Sequence, residues 1–96
     1  MNEPRAPFVR VPLGALRFFA SRLTHAELLC VLAIYASSDG GRDGTIFVAD
    51  TARWLGMSRR MIQEALENMD REGWITRIGN LVHINIVEVD VAEGSL

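Results

Sequence analysis

Apolar positions along the chain recur with spacings that assign most segments an element. Ile62, Ala65, Leu66 and Met69 form one stripe at helical spacing, with polar residues filling the remainder of that segment. Upstream, Leu28, Leu29, Leu32, Ile34 and Tyr35 fall on different faces of a helix running to about Ala36 or Ser37. A helix without a polar side is a central one. Its start is marked by Thr24-His25-Ala26-Glu27, a capping box in which hydroxyl and carboxylate each satisfy a free amide. Leu13, Leu16, Phe19 (or Ala20) and Leu23 predict a further helix over Leu13–Arg22, with Phe18 off the centre of the stripe. A domain this small is not expected to bury both rings, so the excess is assigned to a partner subunit. Trp74–Ile78 and Leu81–Val87 are β-rich, and Val82, Ile84 and Ile86 alternate with His83 and Asn85 as in a half-buried strand. Gly79-Asn80 between them suits a type II′ hairpin. Thr45–Phe47 and Phe8–Val11, the latter stopped by Pro12, are expected to be short strands.

Val48 to Glu67 has the layout of a helix-turn-helix. Ala52 is small enough for a second helix to cross close above it. Gly56 tolerates a positive φ in the tight turn. Ser58 can cap the next helix, and Gly73 can stop it. The face opposite the apolar stripe carries Arg60, Gln63, Glu64, Glu67 and Arg71, with Arg59 on the flank of the first turn. The first turn of such a helix reaches base edges in the major groove. Arg pairs with guanine and Gln with adenine in bidentate fashion, so Arg59, Arg60 and Gln63 are suited to read DNA. The same charges also fit a solvated helix, with Arg60–Glu64 and Glu67–Arg71 as i,i+4 pairs. Helix, glycine, strand, turn and strand in succession is a winged-helix pattern.

Composition changes this picture in a few places. The 96 residues suffice for one domain with a modest core. At 49% the hydrophobic share is at the high end for a soluble domain, which leaves room for an oligomer interface. The net charge of −2 is unusual for a DNA binder, but Glu88, Asp90 and Glu93 sit at the end of the chain. Residues 1–87 hold ten Arg and nine acids, which is weak for phosphate binding. A dimer would double the contacts. Every basic residue is Arg, which suits bidentate contacts, although the codon preference of a GC-rich genome would account for most of them equally well. Cys30 is the one cysteine, excluding an internal disulfide and fitting a reducing cytoplasm. The longest apolar stretch, Leu28 to Ala36, is too short to span a bilayer, and no signal peptide is recognisable. The loop Ser37–Gly44 has three glycines but no Gly-Lys-Ser/Thr or Gly-x-Gly-x-x-Gly pattern, so a plain turn is expected. No catalytic or metal-ligating arrangement and no cofactor motif is recognisable. His25 and His83 have no evident shared partner.

The stretch SRLTHAELLCVLAIYASSDGGRDGTIFVADTARWLGMSRRMIQEALENMDREGWI resembles the winged helix-turn-helix modules of bacterial plasmid and phage replication, partition and regulatory proteins. The resemblance spans residues 13–87. Its marks are Ala52, the run Leu55-Gly56-Met57-Ser58-Arg59-Arg60, and Met69 followed by Glu72-Gly73-Trp74-Ile75. It implies an α+β fold with three to four helices followed by a C-terminal β-hairpin wing. Residues 1–12 would then be an N-terminal arm and 88–96 an acidic tail. It further implies that Ser58, Arg59, Arg60 and Gln63 face DNA, that Arg53 meets backbone phosphate, and that Arg77 and Asn80 belong to the wing. Three residues depart from the pattern. Glu64 stands where a basic or neutral residue is usual, Phe47 where a Ser or Thr cap is common, and the short wing has Arg77 as its one cation. The expected function is sequence-specific binding of double-stranded DNA by a cytoplasmic, nucleoid-associated homodimer, with no catalysis, metal or cofactor. The alternative is a winged-helix module that binds protein, with the N-terminal helix or the acidic tail as its contact.

Overall fold

The computed structural model describes residues 9–85. Most of the expected arm, the whole acidic tail and residues 86 and 87 of the expected last strand lie outside them.

The chain is organised around α2 (His25–Ser38), which begins at the expected capping box. The Thr24 amide donates to Glu27 Oε1 at 2.9 Å and the Glu27 amide donates to Thr24 Oγ1 at 3.2 Å. Cys30, Val31, Ala33, Ile34 and Tyr35 are buried along it. Around it lie α3 (Val48–Leu55) and α4 (Arg59–Arg71), together with β1 (Asp43–Thr45). The stripe of α4 is buried as its spacing predicts, with Ile62, Ala65, Leu66 and Met69 all inside. That helix ends in a Schellman motif: Trp74 N–H donates to Met69 O and Gly73 N–H to Asp70 O, with Gly73 at φ 82°. The chain then enters β2 (Ile75–Ile78) and β3 (Leu81–Ile84). Gly79 between them has φ 59° while Asn80 does not turn positive, as a type II′ turn requires.

The sheet has three strands in the order β1-β3-β2, all antiparallel, so the hairpin is backed by a strand from before the helix-turn-helix. That strand lies two residues earlier than Thr45–Phe47. Gly44 is the reason. It pairs with Val82 and runs so close to α2 that a Cβ would stand 2.6 Å from Ser37 Oγ and 2.7 Å from Ile34 O. Only glycine lets the strand lie there. Ile46 then leaves the ladder to fill the core, its amide donating to Asn80 O.

Helix α1 (Leu13–Ala20) is two residues shorter than expected and is rotated. Ala15 and Phe19 face inward, while Leu13 and Leu16 are 54% and 38% exposed. The aromatic rings set this rotation. Phe18 and Phe19 both meet Trp74 edge-on, with centroids 5.6 and 6.4 Å away, and meet each other at 5.7 Å. Arg22 stacks its guanidinium over Phe18. One domain therefore accommodates both rings, contrary to the expectation that Phe18 and Phe19 need a partner subunit. Val9–Pro12 forms no strand. It has no strand partner; Val9 and Val11 pack on the core while Arg10 passes over Gly40.

Candidate functional site

The helix-turn-helix is built by two local devices. Helix α3 stops at Gly56, whose φ of 69° allows Met57 N–H to reach back to Ala52 O at 2.9 Å. Two residues later Ser58 Oγ accepts from the Met61 amide at 3.1 Å and starts α4. Phe47, at the head of α3, makes no side-chain cap. The buried stripe of α4 leaves its opposite face in solvent, so Ser58, Arg59, Arg60 and Gln63 are all exposed along its beginning.

The cations expected to meet nucleic acid differ in what already holds them. Arg59 forms no hydrogen bond or ion pair among the described residues. Arg60 donates through Nε to Glu64 Oε1 at 2.9 Å, one turn further along the helix. Arg53 donates through Nη2 to Asp50 Oδ1 at 2.7 Å. Arg77 is folded back on the wing turn, with Nε donating to Gly79 O at 3.2 Å. Asn80 is exposed at the wing tip. The helix-turn-helix thus gathers Arg53, Ser58, Arg59, Arg60 and Gln63, whereas Arg77 and Asn80 belong to the separate hairpin. Of the two i,i+4 pairs expected on α4, Arg60–Glu64 forms and Glu67–Arg71 does not.

The angle between wing and helix is held by Asn85, a residue that alternation alone puts on the wet face of β3. Its amide donates to Gly73 O at 3.2 Å and to Thr76 Oγ1 at 2.8 Å, and its backbone N–H donates to Trp74 O at 3.0 Å. The polar side chain following the last strand residue was its one sequence signal. On the outer face of the sheet, His83 Nδ1 lies 2.6 Å from Asp43 Oδ1, a partnership created by the β1–β3 pairing. Beside it Ile78 and Leu81 stand opposite each other, 75% and 65% exposed. With Thr45 and Thr76 these residues line a shallow hollow of about 300 Å³.

Residues 41–84 match a family model described as elongation factor SelB, winged helix. The fold is a winged helix. The matched span runs from the loop before β1 to the end of β3, and so takes in the helix-turn-helix and the complete sheet but not α1 or α2. Neither the curated proteins nor the solved structures include a match to the chain. Winged helices bind nucleic acid or protein, and the choice between them is made by the side chains they present. Among the described residues no group of three or more His, Cys, Asp or Glu could hold a metal ion. No helix among them is long and apolar enough to cross a membrane.

Proposed function

We propose that the chain binds double-stranded DNA sequence-specifically, with the first turn of α4 in the major groove. The observation that carries this reading is the exposed start of α4, where Arg59, Arg60 and Gln63 project from a turn fixed by the Ser58 cap. Arg53 and Arg77 set the register on phosphates, each after exchanging an internal acceptor for the DNA backbone. Asn80 meets the backbone from the wing. The biological role is that of a transcriptional regulator or a plasmid or phage replication or partition factor, acting on the nucleoid of a bacterial cytoplasm without a cofactor.

The reading includes a two-fold homodimer, which offsets the small number of cations on each subunit. Phe18 and Phe19 serve the core of the single chain, so the contact passes to Leu13 and Leu16 on the outer side of α1. Anisotropy of a labelled mixed-sequence duplex, titrated with protein at rising salt, tests the reading. Binding at low salt that weakens as counterions compete is expected, with a slope of roughly two to four phosphates per subunit. Absence of binding at low salt overturns it.

A second reading, a protein-binding module, is favoured by the side-by-side exposure of Ile78 and Leu81 on the wing. It requires that replacing both with Ser abolish partner binding.

A further inference from the structure

We propose that Glu64 is a positioning residue that makes Arg60 a guanine reader, so that the DNA site carries a guanine under the start of each α4. This rests on the DNA reading above and goes beyond it by naming a base and the residue that selects it.

The inference begins with which nitrogen of Arg60 is occupied. Side chains on a helix lean toward its N-terminus, so a carboxylate four residues on reaches back over the arginine. Here Glu64 Oε1 accepts from Nε–H at 2.9 Å. The guanidinium is planar, so fixing Nε fixes the direction of the terminal fork. Nη1 and Nη2 have no partner among the described residues, and the Arg60 side chain is 88% exposed. A free fork of two parallel donors matches guanine O6 and N7.

The same fork also matches a phosphate, and the charge of Glu64 decides between them. Glu64 is 55% exposed and next to the guanidinium, which makes the pair neutral as a unit. A phosphate bound at the fork would bring a second anion close to the carboxylate. The guanine edge offers two acceptors without net charge and escapes that repulsion. Glu64 therefore holds the fork in place and disfavours the backbone as its target.

The neighbouring arginines provide the contrast. Arg53 is held through Nη2, a member of the fork itself, by an Asp50 whose side chain is only 28% exposed. Its fork is occupied, and it must break that bond before taking a phosphate. Arg59 has neither pairing among the described residues, so no carboxylate directs its fork toward a base. The three arginines thus differ in whether a carboxylate directs the fork (Arg60), occupies it (Arg53) or is absent (Arg59).

Selection from a random-sequence duplex library, run in parallel with wild-type protein and with Glu64→Ala, Glu64→Gln and Arg60→Lys, tests the assignment. The wild type should enrich sites with guanine at one fixed position. Arg60→Lys should weaken the guanine preference at that position alone, because an ammonium keeps the charge and can still donate to guanine but has no planar fork. Glu64→Ala should lower the guanine preference there about tenfold, the size of one good bidentate contact, while the other positions keep theirs. Glu64→Gln retains an oxygen that accepts from Nε but loses the charge that disfavours phosphate, so guanine should remain the preferred base, less strongly than in the wild type, and random duplex should bind more tightly. Both side chains are exposed, and circular dichroism melts of the variants should overlay. If Glu64→Ala selects the same site with the same guanine preference, the positioning role is overturned and the DNA reading stands. If the wild type enriches no site, the DNA reading falls and this inference with it.

Discussion

Cys30 shows how far a single side chain can be set by its surroundings. It has no exposed surface, and burial, assisted by the Glu27 carboxylate, pushes its thiol from 9.0 to about 12. The thiolate is therefore disfavoured in the folded state only. Below about pH 9 both states hold the proton and the group contributes nothing to pH dependence. Between about 9 and 12 the unfolded chain loses its proton first, so folding stability falls as pH rises. Denaturant titrations across that range should show the decline, and Cys30→Ala should flatten it. A thiol reagent at neutral pH should label the protein only after unfolding. Arg53 supplies a second test at this scale. Asp50→Asn removes the charge that holds Nη2, and affinity for random duplex should rise about two- to threefold at low salt. An unchanged affinity would mean that Arg53 stays away from the backbone.

At the scale of elements, Gly44 carries the sharpest expectation. Gly44→Ala places a Cβ within 2.7 Å of Ile34 O, a backbone atom that cannot turn aside. A loss of about 1–3 kcal/mol is expected, read as a lowered midpoint in a urea titration. What the sequence revealed and what it concealed follow one division. The α4 stripe, the Thr24 box, the Ser58 cap, the Gly73 stop and the hairpin turn were legible because each depends on residues within a few positions of one another. The rotation of α1 was not, because it is set by Trp74, more than fifty positions downstream. The placement of β1 depended on contact between Gly44 and α2, and the role of Asn85 on a bond across to Gly73. In the candidate site, the positions of Arg59, Arg60 and Gln63 on the helix-turn-helix followed from periodicity, and that of Arg53 from the resemblance. Which nitrogen of each arginine is engaged did not, since that is a matter of side-chain rotation about a fixed backbone. Asn85→Ala should cost about 1 kcal/mol and broaden the wing amide resonances, as the hairpin loses its tie to the end of α4.

For the whole molecule, the aromatic contacts among Phe18, Phe19 and Trp74 join the first helix to the root of the wing. Phe18→Ser should lower stability by about 2 kcal/mol in thermal or chemical unfolding instead of merely separating subunits. Leu16→Glu, on the exposed side of α1, should leave the fold intact and, on the homodimer proposal, give a monomer by light scattering where the wild type is a dimer. The DNA reading and the protein-binding reading then centre contact on different elements: the start of α4 for the first, the outer face of the sheet for the second. Chemical-shift mapping of isotope-labelled protein titrated with a mixed-sequence duplex at low salt separates them. The account predicts the largest shifts at the amides of Ser58 to Glu64, with smaller ones at Arg53, Arg77 and Asn80, all reversed by added salt, while Thr45 and His83 on the outer face of the sheet change little. Shifts confined to Thr45, Ile78, Leu81 and His83, or none at all, would contradict it.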